Sequence, residues 1–282
     1  VPTLHVPFHQ DERLADGHLP VPEGAQTLEP VLPDGTVWNR LTALHSAVAD
    51  RVAAEVSAGA IPTVVSGDCL VALGTVAGVQ RAGIDAGVVW FDAHGDVHTL
   101  ETTTSGYLGG LSLRLLLGAH ADLVAVPLGL RPLTTDQALL VDARDLDPAE
   151  ATYLATDGPA RVVVDAVARP RMPDTALPLA GPRTLAAGAA PARPWRPGAD
   201  AADLPDGPLV LHVDVDVIDA AELPGLLFPA PHGPSTEAVL AAVRRVMATG
   251  RVVALDVACP WHPAASDQDA AIRADLIANL AS

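Results

Sequence analysis

Four bulky apolar residues, Val88-Val89-Trp90-Phe91, run directly into Asp92-Ala93-His94-Gly95-Asp96. The pattern returns at Leu209-Val210-Leu211-His212-Val213-Asp214-Val215-Asp216. Runs of this kind belong in strands covered on both faces, so their carboxylates must emerge where a core ends. In extended backbone every second side chain points to one side. This predicts that Asp92, His94 and Asp96 share a face, and that Asp214 and Asp216 do the same. Burying a carboxylate costs several kcal/mol unless it is paired or holds a cation. Neither stretch contains Lys or Arg. A divalent cation is therefore the expected counter-charge. Capping of the following helix would account for one such aspartate, but not for the set.

The remaining elements alternate. Period-two or continuous apolar runs predict strands at 4–8, 61–65, 87–91, 138–143, 161–164, 209–217 and 252–257. Helical spacing predicts helices at 39–58, 70–81, 110–117, 148–155, 234–249 and 265–280. Residues 9–36 and the Pro-, Ala- and Gly-rich stretch 168–207 read as irregular. Such alternation predicts a three-layer α/β/α fold with a mainly parallel central sheet, residues 1–282 forming a single domain. In sheets of this type ligands bind outside the carboxyl ends of the strands. Asp68, Cys69, Asp92, His94, Asp96, Arg144, Asp145, Asp147, Asp214, Asp216 and Cys259 all follow apolar strands, and five strands thus send polar ends to one edge.

Acidic residues outnumber basic ones 34 to 17, a formal net charge of −17. This disfavours nucleic acid or an anionic membrane surface as partner. No run approaches the roughly 18 apolar residues of a membrane span, and the first residues carry no basic segment ahead of an apolar core. A cytoplasmic location is expected. Two cysteines, Cys69 and Cys259, are too few for a secreted disulfide framework.

WFDAHGD, HVDVDVID and, upstream, VSGDC resemble the three metal-binding motifs of the ureohydrolases, the arginase and agmatinase family, in the same order. SGYLGG at 105–110 and ARDLDPAE at 143–150 are similar to two further motifs that line the family's substrate pocket. The resemblance implies an arginase-like fold and a metal-activated water that hydrolyses a guanidine- or amidine-type C–N bond. It implies one or two divalent ions, with Mn²⁺ foremost, and a homo-oligomer, trimeric or hexameric. By position, Asp92, His94, Asp214 and Asp216 would hold one ion. Asp96 and Cys69 would hold the other, with Asp92 and Asp214 bridging. Ser105, Tyr107, Asp147, Cys259 and His232 become candidate substrate-binding residues, and the substrate is expected to be a small molecule, amino-acid-like in its α-amino and α-carboxylate groups.

Three departures shape the expected chemistry. Cys69 stands where the family has a ligand histidine, and a thiolate favours Zn²⁺, Fe²⁺ or Co²⁺ over Mn²⁺. Cys259 stands where a glutamate pairs with the substrate guanidinium, which argues against plain arginine and for a modified or hydroxylated guanidine. Gly109 stands where arginases carry a proton-shuttling histidine. Asp96 and His98 are the candidate catalytic residues, His98 because imidazole suits acid–base work. If both thiols face the pocket, they could act together as soft ligands or as a disulfide switch. Two other readings remain open at this point: a single-metal amide hydrolase of deacetylase type using Asp92, His94 and Asp216, and an inactive family member with a binding or regulatory role.

Overall fold

The computed structural model describes residues 1–164, 193–195 and 203–281. The strands are β1 (Thr3–Val6), β2 (Phe8–His9), β3 (Glu12–Arg13), β4 (Gln26–Thr27), β5 (Thr63–Ser66), β6 (Gly87–Phe91), β7 (Ala138–Val141), β8 (Ala160–Val164), β9 (Arg193–Trp195), β10 (Leu209–Asp214) and β11 (Val252–Ala258). The helices are α1 (Val37–Ser57), α2 (Ala72–Arg81), α3 (Ser112–Leu116), α4 (Ala125–Leu128), α5 (Pro148–Thr156), α6 (Thr236–Met247) and α7 (Asp267–Leu280). Among the described residues one sheet has the order β4-β1-β5-β11-β10-β6-β7-β8-β9, with all its pairings parallel. β2 and β3 form a separate antiparallel pair.

Every residue of β5, β6, β7 and β10 is buried, as continuous apolar runs in a parallel sheet require. The two faces feed separate cores. Val64, Val88, Trp90, Val210, Ala254 and Ala258 pack with α1 and α2. Their neighbours Val65, Val89, Phe91, Leu211, Leu255 and Val257 pack with α6 and α7. On α6 the buried residues Val239, Ala242, Val243 and Val246 recur at helical spacing, and Ser235 caps the helix by accepting from Ala238 N. On the opposite face α2 approaches α1 closely at Gly74 and Gly78. A Cβ at either glycine would meet the α1 backbone at 2.8 and 2.7 Å, from His45 O and Ala49 O respectively. This approach seats α2, and with it the turn that carries Cys69.

Several element boundaries shift from the sequence reading. α1 begins at Val37 because Thr36 and Asn39 form a reciprocal capping box, so Asn39 lies inside the helix and is not its cap. Cys69–Val71 is a 3₁₀ turn ahead of α2, and Gly109–Leu111 another ahead of the short α3. Strand β10 stops at Asp214, and Val215–Val217 is a further 3₁₀ turn. The stretch read as loop before residue 36 contains β2, β3 and β4, too short to show a period. Of the segment 168–207, Arg193–Trp195 adds a strand to β8, residues 203–207 are described, and the rest lies outside the described residues.

His45 on α1 is 1 % exposed, and neither ring nitrogen has a hydrogen-bond partner among the described residues. Burial pushes its pKa down from 6.5 to about 3. Below pH 6.5 the unfolded chain therefore takes up a proton that the folded chain refuses, and stability falls with pH. Between pH 7 and pH 5 this one group should remove about 2 kcal/mol. His45→Met is expected to be at least as stable at pH 7 and to lose that part of the acid slope in urea unfolding. Parallel slopes for the two proteins would refute the assignment.

Candidate metal centre

Three strand ends repeat one local device. At the end of β5, Asp68 Oδ1 accepts from Leu70 N at 2.7 Å. After β6, Asp92 Oδ1 accepts from His94 N at 2.7 Å, and at the end of β10, Asp214 Oδ1 accepts from Asp216 N at 2.8 Å. Each aspartate closes a turn on the amide two residues ahead, as short polar side chains do where regular structure stops. The convergence expected from strand alternation is thus produced by turns. β6 ends before Asp92, and Asp96 has a φ of +53°, outside extended backbone.

These turns bring the six predicted donors, Cys69, Asp92, His94, Asp96, Asp214 and Asp216, into the wall of one cavity of about 350 Å³. His94 Nδ1 lies 3.1 Å from Asp216 Oδ2 and 3.4 Å from Asp92 Oδ1. One ligand atom each from Asp92, His94 and Asp216 falls within a 4.8 Å group. Cys69 Sγ donates to Asp214 Oδ2 at 2.9 Å and lies 4.0 Å from Asp92 Oδ2, which also accepts from Trp90 Nε1 at 3.0 Å. Asp96 is 5 % exposed and its Oδ2 has no partner among the described residues.

The electrostatics are those of excess buried negative charge. Burial, then Asp92 and Asp214, holds the Asp96 carboxyl well above the usual carboxylate range. Burial, then Asp216 and Asp92, does the same to Asp214, while burial raises Asp216 against the opposing charge of His94. Burial opposes charge on His94, but Asp216 and Asp92 outweigh it and push the imidazole up to about 12. That imidazolium in turn lowers Asp92 against its burial. Burial, then Asp214 and Asp96, drives the Cys69 thiol up. One imidazolium among four carboxylates leaves the cluster short of positive charge, and the orphaned Asp96 oxygen marks where it is short. A set of carboxylates, imidazole and thiol suits a divalent ion of intermediate softness.

The cavity's other walls come from the substrate-pocket motifs. Ser105, exposed at the rim, and Tyr107 line it, together with His98, Asp147, Glu150 and Phe228. His98 Nε2 is 3.1 Å from Asp147 Oδ2 and 3.7 Å from Glu150 Oε2, and its Nδ1 is 3.1 Å from Thr102 Oγ1. Asp147 is also the N-cap of α5, so it caps a helix and lines the cavity at once. Tyr107 donates to Asp68 Oδ2 at 2.9 Å and stacks on His9. Its ring fills the space a side chain at Gly109 would need. Sequence reasoning missed Glu150, although Asp-x-x-Glu around Pro148 is a capping signature that could have flagged it.

Two predicted substrate residues stand elsewhere. Cys259 is buried, but on the face of the sheet that packs against α6 and α7, opposite to Cys69, and both cysteines are free. The paired-thiol expectation is therefore corrected, because alternation along β11 turns Cys259 away from the cavity. Four strand ends, not five, reach it. His232 is exposed, at a φ of +64°, and is not part of the lining. Arg144, which sequence reading left without a role, donates to the carbonyls of Asp216, Val217, Ile218, Ala230 and Pro231. It clamps the Asp216 turn to the loop behind it.

A parallel α/β sheet with a carboxylate-rich candidate cation cluster at the carboxyl ends of its central strands is the class that fold and side chains define. Comparison with known sequences makes it specific. The Arginase family profile matches residues 9–175 and 199–281, and the chain belongs to that family, in which metal binding, typically of manganese, is characteristic. It is 33% identical over 215 residues to arginase of Eremothecium gossypii, covering 74% of this chain and 48% of that protein. The chain thus spans about half the length of that relative. To N(omega)-hydroxy-L-arginine amidinohydrolase of Streptomyces lavendulae it is 28% identical over 235 residues, covering 82% of this chain and 73% of the relative. The fold is similar to that of Bacillus caldovelox arginase, with a TM-score of 0.73 at 20% identity over 99% of this chain and 97% of that one.

Proposed function

We propose that the chain is a metal-dependent hydrolase that cleaves a linear C–N bond in a small guanidino or amidino compound other than unmodified arginine. The gathering of six donors from β5, β6 and β10 in one cavity supports this reading above any other observation. Asp92, His94, Asp214 and Asp216 would hold one ion; Cys69 and Asp96, with Asp92 and Asp214 shared, would hold a second. A bound divalent ion supplies a nucleophile from water at neutral pH and polarises the bond to be broken. The chain's own part is to orient and to move protons. Asp147 and Thr102 fix both ring nitrogens of His98, which places an imidazole able to hold a proton beside the donors.

The substrate preference rests on what faces the cavity. Cys259 lies on the other face of the sheet and brings no carboxylate to a guanidinium. Asp147 and Glu150 are already engaged with His98. A less basic, hydroxylated guanidine needs such a carboxylate less, and the named activity of the Streptomyces lavendulae relative accords with this. The test is turnover of arginine, agmatine, Nω-hydroxyarginine, simple amidines and N-acyl amines by protein loaded with Mn²⁺, Zn²⁺, Co²⁺ or Fe²⁺. A hydroxyguanidine should be turned over at least about tenfold faster than arginine, and His98→Asn should lower kcat roughly 10² to 10³-fold with little change in KM. A metal-loaded protein inert towards the whole panel would refute the hydrolase reading.

A further inference from the structure

His212, on β10, is fully buried and belongs to none of the roles described so far. Its Nδ1 lies 2.8 Å from Asp256 Oδ1, and Asp256, itself fully buried, accepts from Thr75 Oγ1 on α2. The ring stacks on Trp90 at 3.6 Å between centroids. Its other nitrogen, Nε2, is buried with no hydrogen-bond partner among the described residues. A buried acceptor left unmade costs about 1–3 kcal/mol. An apolar residue would fill the same space beside Trp90 without that cost.

The free nitrogen faces donors. Cys69 Sγ, a carboxylate oxygen of Asp92 and a ring nitrogen of His212 fall within 4.8 Å of one another. With Nδ1 held by Asp256, Nε2 is the nitrogen available to that group. Asp214 Oδ2, 2.9 Å from Cys69 Sγ, adds a fourth donor. We propose that His212 is a metal ligand, which joins Cys69, Asp96, Asp92 and Asp214 as a further donor to the second ion and suits that site to a borderline-soft ion such as Zn²⁺, Co²⁺ or Fe²⁺. The proposal rests on the reading of this cluster as a metal centre.

The chemistry is coherent from the outer residues inward. Asp256 accepts the Nδ1 proton, which fixes the neutral tautomer and turns the Nε2 lone pair towards Cys69 and Asp92. A carboxylate behind a ligating imidazole also raises its basicity. Thr75 and the Trp90 ring prevent Asp256 and His212 from turning away. Cys69 occupies the position of a family histidine, and His212 returns an imidazole to the same ion from β10, two strands away from β5. An imidazole and a thiol among carboxylates match the donor types such ions prefer.

The test uses the full chain, purified without chelator and loaded with Co²⁺ or Zn²⁺. Expected are two ions per chain by elemental mass spectrometry, a thiolate-to-Co²⁺ charge-transfer band, and an X-ray absorption shell with sulfur at about 2.3 Å and imidazole on the same ion. His212→Phe should weaken one ion at least about 100-fold and leave the other unchanged, while Cys69→Ser abolishes the band. Asp256→Asn, which touches no ion, should weaken the same ion roughly 10 to 100-fold. If His212→Phe fails to fold, the shell of the unaltered protein decides: sulfur without a second imidazole beyond that of His94 overturns the proposal. Two ions and an unchanged spectrum in a folded His212→Phe overturn it as well, yet leave the hydrolase reading standing. No bound ion under any loading overturns both.

Discussion

Asp214→Asn is expected to shift the metal-free and metal-loaded proteins in opposite directions. Asp214 is 4 % exposed, and burial together with Asp216 and Asp92 disfavours its charged form. Asparagine keeps the Oδ1 that closes the turn on Asp216 N, and it removes the charge. Without metal the variant should gain roughly 1–3 kcal/mol, since replacing an uncompensated buried charge relieves both desolvation and repulsion. At a few degrees per kcal/mol in a chain of this size, the melting temperature should rise visibly. The folded carboxyl titrates above its unfolded value of 3.8, so the metal-free parent loses stability as pH rises through that interval. The variant should show a flatter profile.

With metal the order reverses. A ligand at a thousandfold excess over its Kd stabilises the native state by about 4 kcal/mol. The parent should gain an amount of that order from each tightly held ion, whereas the variant, lacking a donor shared by both ions, gains little. Thermal unfolding of chelator-stripped protein, with and without Mn²⁺ or Zn²⁺, reads both arms. A variant that is less stable without metal and equally stabilised with it would mean that these carboxylates serve only as a polar network.

The second large effect is at Gly109. A Cβ there would fall on Cζ, Cε1 and Oη of Tyr107. That ring cannot easily retreat, because its hydroxyl is tied to buried Asp68 and its faces meet His9 and Phe228. Gly109→His should therefore cost roughly 2–3 kcal/mol by overpacking. Tyr107→Asn opens the space, and the double variant should recover most of that loss, a coupling of at least about 1 kcal/mol in urea unfolding. Additive costs would show that Tyr107 does not occupy the space a side chain at Gly109 would need.

The fold was legible where burial imposed a pattern. The apolar runs of β6 and β10 and the helical spacing on α1 and α6 announced a parallel sheet between helices. The two-residue strands β2, β3 and β4 left no such trace, since two residues cannot display a period. The donors were legible by type, but the reason they converge was not. Alternation predicted a shared strand face for Asp92, His94 and Asp96, whereas capped turns and one left-handed residue supply it. Cys259 shows the same limit from the other side. Its chemistry is visible in sequence, but the face it takes depends on where β11 stops alternating. His212 looked like one more residue in an apolar run until the structure showed which nitrogen lacked a partner.

The hydrogen bond that closes each donor turn comes from within it, Asp68 on Leu70, Asp92 on His94, Asp214 on Asp216, while the side chains mounted on the turns meet across strands, Cys69 on Asp214 and His94 on Asp216. The edge of the sheet therefore behaves as a set of separately replaceable mounts. A lineage can exchange imidazole for thiol at one mount without re-registering its neighbours, and so revise the preferred element, and with it the reaction, while the scaffold stays untouched.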